Sequence, residues 1–348
     1  MEIGIIGLPN VGKSSLFNLL TKAAAQTGNF PFTTIEPNVG VAAVSGDNRL
    51  KKLGEIYNPE KLTPASVRFV DVAGLVKNAH KGEGLGNTFL SHIRPLDAAL
   101  DVLRAFVSDD VVPSGANGPE DERMIVDTEL LLADLEYAVR AREKLAVASR
   151  SGDKFAAEGA AFLGAVVARL QKGEAVAGLV PPPLGPSSPF HLKDFLTAKP
   201  RFFVINSTAP FDPAERAGAV RIDVKLETEA LELPPEERAG FLAEYGISRP
   251  ASESIVAAAA RLLDLIIFYT VVGTEVRARH IKRGSTALDA AAGIHTDMSK
   301  GFIKAEVLSF NDLLVAGSEK DARSRGLVRG EGRDYPVADG DIVRIHFR

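Results

Sequence analysis

The chain has 348 residues, a net charge of −4 at pH 7 and no cysteine; 45% of its residues are hydrophobic and 25% are charged. This length predicts two or three domains, and the composition is that of a globular protein rather than a disordered or membrane-embedded one. The lack of cysteine excludes disulfides, zinc thiolates and thiol nucleophiles. We expect a cytoplasmic protein, because no signal peptide precedes the first strand and no apolar run approaches the ~20 residues of a membrane span.

Short apolar runs alternate with helical patterns along the first two hundred residues. Residues 2–7 (EIGIIG) are typical of a buried strand, and the following SSLFNLLTKA has apolar residues at helical spacing. Further buried strands are predicted at residues 67–72, 98–106 and 201–206. Strands that alternate with helices predict an α/β fold with a mostly parallel sheet.

The long interval before residue 201 predicts an insertion in this α/β domain. Residues 120–172 are rich in Ala, Leu, Glu and Arg and break at 149–153 (SRSGD), which predicts two antiparallel helices. Phe162, Val166 and Leu170 share one helix face, which we expect to pack the hairpin together. Residues 179–189 contain five prolines, which predict an extended connector back to the sheet.

A change of pattern near residue 268 predicts a different kind of domain. The helical stretch at 253–265 is followed by short β-type runs separated by glycine turns: TEVRARHI, GFIKAEVLSF and GDIVRIHF. We therefore divide the chain into an α/β domain (1–118 and 197–267), a helical insert with its connector (119–196) and a small α+β domain (268–348).

Residues 7–14 (GLPNVGKS) match the phosphate-binding pattern G-x-x-x-x-G-K-[ST] between a strand and a helix. In such a loop, backbone N–H groups surround the phosphates, and the helix N-terminus adds partial positive charge. We expect Lys13 to reach the β- and γ-phosphates and the Ser14 hydroxyl to bind Mg²⁺. The nucleotide-binding residues predicted here are Leu8, Pro9, Asn10, Val11, Gly12, Lys13, Ser14 and Ser15.

A second motif, Asp71-Val-Ala-Gly74, follows the strand VRFV about sixty residues after the first. We expect Asp71 to bind the magnesium ion through water and Gly74 to donate its N–H to the γ-phosphate. Between the two motifs, residues 31–38 (PFTTIEPN) offer a threonine that can close on Mg²⁺ in the triphosphate state. We favour Thr34 as this ligand; Thr33 is the alternative, and a simple turn is the other interpretation.

Together these motifs closely resemble the YchF subfamily of Obg-like ATPases, which are ribosome-associated P-loop proteins. The resemblance rests on GLPNVGKSSLFNLLT, FPFTTIEPNVGV, FVDVAGLVKNAHKGEGLGNTFLSHIR, DTELLLADLE and GIHTDMSKGFIKAEVLSFNDL. It implies an Obg-type nucleotide domain interrupted by a helical coiled-coil hairpin, followed by a TGS domain with a ubiquitin-like β-grasp fold. It also implies that the hairpin and the TGS domain contact the ribosome.

The residues that would assist hydrolysis are unusual. The family belongs to a class in which an apolar residue, here Leu75, replaces the water-orienting glutamine, so hydrolysis needs help from elsewhere. The family's usual helper histidine aligns with Pro113. His80 is a candidate substitute, although a polar loop residue is the simpler interpretation. Asn10 is either a K⁺ ligand, as in related potassium-activated GTPases, or a turn-forming asparagine.

The base-recognition motif also departs from the family. Asn206-Ser-Thr-Ala209 stands where the subfamily has N-x-x-E and guanine-specific relatives have N-K-x-D, and Asp223-Val-Lys225 replaces the following serine motif. The Asn206 amide can donate to a purine N7 and accept from adenine N6. Because position 209 offers no carboxylate to select guanine, we favour ATP, with binding of both purines as the alternative.

The leading hypothesis is a slow ATPase or GTPase switch that docks on the ribosome as a monomer and does not bind membranes. A nucleotide-binding scaffold with vestigial hydrolysis is the alternative, because of Leu75, Pro113 and Ala209. A small-molecule P-loop kinase is disfavoured, since the sequence shows no arginine-rich lid. A C-terminal basic cluster either contacts rRNA or is a solvated face: Arg277, Arg279, His280, Lys282 and Arg283.

Overall fold

The computed structural model describes residues 1–26, 38–72, 74, 90–107, 116–185, 188–208 and 218–348. Within these ranges, no helix is both long enough and apolar enough to cross a membrane. The chain divides into two compact units, the first made of residues 1–19, 35–40 and 68–255 and the second of residues 20–34, 41–67 and 256–348. Residues 41–67, which the sequence analysis assigns to the α/β domain, are thus grouped with the C-terminal part of the chain.

The first sheet has six strands in the spatial order β2-β4-β1-β5-β6-β7. They are β1 (Glu2–Ile6), β2 (Val39–Ala43), β4 (Ser66–Asp71), β5 (Ala98–Arg104), β6 (Arg201–Asn206) and β7 (Ala219–Ile222). The pairs β1–β4, β1–β5, β5–β6 and β6–β7 are parallel. The predicted α/β fold with a mostly parallel sheet is therefore confirmed.

The central strands of this sheet are buried on both faces, which explains why they form continuous apolar runs in the sequence. Ile3, Ile5 and Ile6 of β1 have no exposed surface, and β5 is buried over residues 98–103. Helix α1 (Lys13–Gln26) follows β1 after a short loop. Because the carboxyl ends of parallel strands meet at one edge of a sheet, the segments after β1, β4 and β6 meet at that edge.

Helices α3 (Pro119–Ser149) and α4 (Lys154–Gln171) form the predicted hairpin. Asp153 caps α4, since its side chain accepts the N–H of Ala156 at 3.1 Å. The two helices share one apolar core, in which Val166 and Leu170 are buried and Phe162 is partly buried, as predicted. Other buried members of this core are Ala138, Leu145, Leu163, Phe190 and Phe195.

Buried polar groups fasten the connector after the hairpin. Asp134 of α3 accepts the N–H groups of Leu196 and Thr197, each at 2.8 Å. The ammonium group of Lys199 donates to the backbone oxygens of Arg94, Leu96 and Lys193 at 2.6–2.8 Å. These bonds fix the chain two residues before β6 begins.

After β7 the chain continues through three helices: α5 (Val224–Glu232), α6 (Pro235–Glu244) and α7 (Ala251–Leu262).

The second sheet has the spatial order β11-β10-β12-β8-β9-β3. Its strands are β3 (Lys61–Thr63), β8 (Leu265–Val272), β9 (Glu275–Lys282), β10 (Phe302–Ser309), β11 (Arg329–Glu331) and β12 (Asp341–Phe347). The helices that accompany it are α2 (Asn48–Tyr57), α8 (Ala287–Ile294), α9 (Thr296–Lys300), α10 (Phe310–Ala316) and α11 (Glu319–Ser324). The C-terminal α+β architecture is confirmed, although its first strand begins at Leu265 rather than Phe268.

Replacing Leu163 with alanine should loosen the hairpin, because Leu163 has no exposed surface and its loss would leave a cavity between α3 and α4. We expect the free energy of opening of α4 to fall by about 2–5 kcal/mol, measured by amide hydrogen exchange. Val147→Ala on α3 is the control, because Val147 is 65% exposed and should change this free energy by less than about 0.5 kcal/mol. Equal protection in both variants would contradict the packing described.

Candidate functional site

The loop between β1 and α1 contains residues with positive φ. Asn10 has φ 64° and Gly12 has φ 98°; asparagine tolerates this left-handed region, and glycine adopts it without strain. A Cβ atom on Gly12 would lie only 2.4 Å from Nδ2 of Asn206, so no larger residue fits there. Leu8 and Val11 anchor the loop in the core, with 3% and 0% of their surface exposed. The loop conformation thus follows from its own sequence.

Lys13, the first residue of α1, folds back across this loop. Its Nζ donates to the backbone oxygen of Leu8 at 2.7 Å, and the residue is buried. Burial lowers the pKa of Lys13 to about 8, and the negative charges of Asp71, Asp101 and Glu122 oppose this shift by favouring the ammonium form. The site therefore holds a desolvated cation, which suits it to bind an anion.

Gly74, from the second motif, lies against Lys13. A Cβ atom placed on Gly74 would be 3.0 Å from Nζ of Lys13 and 3.0 Å from Cα of Pro9. Any side chain at this position would press on both the ammonium group and the loop backbone. The structure therefore brings together the two motifs that the sequence separates by sixty residues.

Asp71, at the end of β4, carries an unsatisfied oxygen. Its backbone N–H donates to Asn38 O at 2.8 Å, but its Oδ1 is buried and has no hydrogen-bond partner within the described ranges. A buried carboxylate oxygen without a partner is costly unless water or a cation satisfies it. Ser14 lies exposed at the start of α1. Both residues offer the oxygen ligands that Mg²⁺ prefers, so the residues present fit this ion.

No group of three His, Cys, Asp or Glu side chains that could hold a metal occurs in the part of the chain that the structure describes. A magnesium ion at Ser14 and Asp71 would keep water and phosphate oxygens among its ligands, as this ion usually does.

Two buried acids near Lys13 were missed by the sequence analysis. Asp101 of β5 has no exposed surface, and burial raises its pKa to about 7 despite the nearby Arg201 guanidinium. Glu122 of α3 is also buried, and its Oε2 accepts the N–H of Arg104 at 2.6 Å. For Asp101 the sequence did contain a signal, since it is the single aspartate inside the apolar run AALDVLRAF. A carboxylate is rarely buried in a strand unless it is paired with another group or has a functional role.

Asn206 joins the end of β6 to two neighbouring segments. Its Nδ2 donates to Val11 O at 3.0 Å, and its Oδ1 accepts the N–H of Val224 at 3.3 Å. The amide that was predicted to read adenine with both atoms is therefore already bonded within the protein through both. Nδ2 carries two N–H groups, and Val11 O accepts one of them. Asp223, in the replaced serine motif, instead caps α5 by accepting the N–H of Leu226 at 2.9 Å.

Several predicted positions lie outside the described residues. They are the candidate Mg²⁺ ligands Thr33 and Thr34, and Leu75, which stands in place of the water-orienting glutamine. The others are His80, the candidate helper of hydrolysis, Pro113, which aligns with the family's helper histidine, and Ala209, the last residue of the base motif. The roles assigned to them stay predictions. The described part of the candidate site thus comprises the loop at 7–14 with Asp71, Gly74 and Asn206.

Two family models match the chain. One, described as a 50S ribosome-binding GTPase, matches residues 2–133, and the other, the YchF-GTPase C-terminal model described as a protein of unknown function (DUF933), matches residues 265–348. The ribosome-binding ATPase YchF of Haemophilus ducreyi is 42% identical over 363 residues, with 99% of each chain covered. The ribosome-binding ATPase YchF of Bacillus subtilis is 39% identical over 368 residues, with 100% of this chain and 99% of the relative covered.

A solved structure has the same architecture along nearly the whole chain. It is that of the Schizosaccharomyces pombe YchF GTPase, with a TM-score of 0.82 and 28% sequence identity. The match covers 99% of this chain and 97% of the other. The likeness therefore extends through both units and the helical hairpin.

The affinity for a nucleoside triphosphate should fall as the pH rises above 8. The ammonium form of Lys13 attracts phosphate, and its pKa in the free protein is about 8, so at pH 9 about one molecule in ten carries the charge before binding. We expect the apparent dissociation constant to rise about tenfold between pH 7 and pH 9, measured by titration with a fluorescent ATP analogue. Lys13→Arg keeps its charge over this range and should lose the pH dependence. A flat profile in the unmodified protein would refute the assignment.

Proposed function

Because the chain belongs to the YchF family of P-loop nucleoside triphosphatases, we propose that it binds and hydrolyses Mg-ATP or Mg-GTP as a ribosome-associated switch protein. The observation that carries this proposal is the approach of Gly74 to the ammonium group of Lys13. In P-loop switches, these two residues act on the same γ-phosphate. A site that holds them in contact can sense whether that phosphate is present.

Lys13 and Gly74 supply most of what binding requires. When phosphate enters, Lys13 can exchange the neutral Leu8 oxygen for a negatively charged one, which makes a stronger hydrogen bond. The backbone N–H of Gly74 and those at the start of α1 can donate to the remaining oxygens. Magnesium, held through Ser14 and Asp71 and in the triphosphate state by Thr34, would neutralise charge on the phosphates. These contacts stabilise the transferred group electrostatically.

The proposed intrinsic rate of nucleotide hydrolysis is slow. Leu75 can neither polarise nor position a water molecule, and Pro113 stands where the resemblance places the helper histidine. His80 stays a weak candidate for this role. Asn10, which the loop holds in a left-handed conformation, is the proposed ligand of a potassium ion that would add positive charge near the phosphates. A scaffold with vestigial hydrolysis is the second candidate function, favoured by the same two replacements.

The proposal for base choice is ATP, with GTP close behind. Asn206 keeps one N–H for a purine N7, which both bases have. Guanine also carries N1–H and N2–H₂ donors, and leaving such groups unpaired costs about 1–3 kcal/mol each. Ala209 offers them no acceptor, whereas adenine lacks both the N1–H and the N2 amino group.

The ribosome-facing surfaces are proposed to be the hairpin and the C-terminal unit, with the protein acting as a cytoplasmic monomer. The basic cluster at 277–283 does not form one patch. His280 Nδ1 lies 3.2 Å from Ser66 O, and Arg283 pairs with Asp264 at 3.0 Å. Arg277 and Arg279 share one face of β9, and burial, together with the charge of Arg277, lowers the pKa of Arg279 to about 10. These two arginines are the proposed rRNA contacts.

Purified ribosomes should accelerate multiple-turnover phosphate release from ATP, because docking can complete a site that lacks its own water-positioning residue. Lys13→Ala should abolish the activity, whereas Lys22→Ala, at an exposed position on the same helix, should retain it. Nucleotide binding without any turnover, with or without ribosomes, would favour the scaffold.

If Asn10 binds a cation, K⁺ should support a higher rate of phosphate release than Na⁺ at matched ionic strength. Equal rates in the two salts would exclude the potassium site.

The unmodified protein should bind ATP at least as tightly as GTP by isothermal titration. Ala209→Asp should move the preference toward GTP by about tenfold, because a carboxylate regains the two guanine donors. Ala209→Asn has a similar size without the charge and serves as the matched control. A clear preference of the unmodified protein for GTP would mean that another carboxylate, for example Asp212, reads the base.

A further inference from the structure

Helix α6 packs only a small part of its surface against the rest of the protein. It has ten residues, and Leu242 is the only one of them that is buried. Residues 236, 237, 239, 240, 243 and 244 are exposed. A helix of this length is marginally stable in water by itself, and its stability normally comes from packing one of its faces. Most of the surface of α6 is therefore open to a partner.

The two helices that flank α6 in the chain are joined to each other by a buried carboxylate. Glu227 of α5 is buried, and its side chain accepts the N–H groups of Ala251 and Ser252, the first residues of α7, at 2.6 and 3.1 Å. Both ends of the segment that carries α6 are thus fixed to one another. The exposed face of the helix is therefore presented on a firm support rather than on a loose loop.

Two aromatic side chains form a pair on this helix. Phe241 and Tyr245, which directly follows the last helical residue, lie one helical turn apart, and their ring centres are 5.3 Å from each other. Phe241 is partly buried, whereas Tyr245 is 58% exposed. Aromatic rings give a large contact area with few rotatable bonds, and they are enriched in protein interfaces. The pair is therefore a suitable anchor for a partner.

Carboxylates accompany the aromatic pair. Residues 223–253 contain eight acidic and three basic side chains, so this segment alone is more acidic than the whole chain, whose net charge is −4. Glu237, Phe241, Glu244 and Tyr245 recur at spacings of three and four residues and therefore share one face of the helix. Both of these glutamates are exposed. The face thus combines an aromatic surface with two negative charges.

The basic side chains of the segment do not neutralise these two charges. They have other partners: Lys225 pairs with Glu229, Arg249 pairs with Glu253, and Arg238 donates to the backbone oxygen of Leu233. Within the ranges that the structure describes, neither Glu237 nor Glu244 forms an ion pair. Such a face repels the phosphates of nucleic acid and attracts a cation. Guanidinium suits it best, because this planar group can stack on an aromatic ring while it pairs with a carboxylate.

We propose that the face of α6 formed by Glu237, Phe241, Glu244 and Tyr245 is a docking site for an arginine-rich segment of a partner protein. One arginine of that segment stacks on the ring of Tyr245 and pairs with Glu244, and Glu237 attracts a second basic side chain about two helical turns away. Basic arms of this kind are common in proteins that bind nucleic acid. The choice of a ribosomal protein as this partner rests on the proposed function, whereas the docking of an arginine-rich segment does not.

Fluorescence anisotropy with a labelled oligoarginine peptide tests the proposal on the whole protein, without ribosomes or nucleotide. Tyr245→Leu keeps an apolar side chain but removes the ring, and we expect the peptide to bind about threefold to fivefold more weakly. Glu244→Gln removes the charge at similar size and should weaken binding about threefold. An oligolysine peptide of equal length should bind the unmodified protein more weakly than oligoarginine, because an ammonium group cannot stack as a plane.

Phe155→Leu and Glu143→Gln are the matched controls. Phe155 is another exposed aromatic residue, with 51% of its surface exposed, and Glu143 is an exposed carboxylate on α3. They carry the same chemical changes as the test variants at positions outside α6. Both controls should bind oligoarginine within about twofold of the unmodified protein.

Unchanged affinity in Tyr245→Leu and Glu244→Gln, or equal weakening in their controls, would overturn the proposal. Self-association of the protein that Tyr245→Leu abolishes would also overturn it, because a second copy would then cover this face, and so would single-stranded RNA that binds through the same residues. If the unmodified protein binds oligoarginine through Tyr245 but does not bind ribosomes, the ribosomal role is refuted and the docking site stands.

Discussion

The buried ammonium group of Lys13 interacts with charged and polar groups from several elements of the first unit. A buried cation is costly unless neighbouring groups compensate it. Here Leu8 O accepts a hydrogen bond from the ammonium group, and three carboxylates favour its charged form. Those carboxylates come from β4, β5 and α3, so the sheet and the root of the hairpin both contribute to one electrostatic environment. A Cβ atom on Gly74 would approach both this ammonium group and the backbone of Pro9 to 3.0 Å. The environment of Lys13 therefore depends on several elements of the first unit.

The hairpin is joined to this environment through its first turns. Glu122 binds the last backbone N–H of β5, and Arg201, the first residue of β6, pairs with Asp101 and with Asp127 of α3. Arg123 lies over the ring of Phe203, with its guanidinium carbon 4.8 Å from the ring centre. These contacts fasten the first turns of the hairpin to β5 and β6.

The sequence predicted those parts of the fold that depend on the pattern of residues within one continuous segment. The buried strands, the loop at 7–14 and the hairpin each follow from a continuous stretch of residues, and the structure places them where the sequence did. The place of residues 41–67 in the second unit could not be predicted in this way, because it depends on contacts such as that between Asp47 and Tyr269, which are 222 residues apart in the chain. Strand β3 of this segment has only three residues and no pattern of its own.

The candidate site likewise contains residues that motifs predicted and residues that only the packing brings together. Lys13, Gly74 and Asp71 could be named from motifs, because the chemistry of phosphate binding fixes residue type and spacing. Asp101 and Glu122 could not, since their relation to Lys13 arises from the packing of β5 and α3. Asn206 was named for contacts with a base, and the structure adds bonds that its residue type did not predict, because its amide also joins Val11 and Val224.

A structure of the protein with Mg²⁺ and a non-hydrolysable ATP analogue would show whether Lys13 binds the phosphates. We expect Nζ of Lys13 to leave Leu8 O for the β- and γ-phosphates, with Gly74 N–H facing the γ-phosphate and the metal between Ser14 and Asp71. Lys13 still bonded to Leu8 O, with the phosphates bound elsewhere, would contradict it.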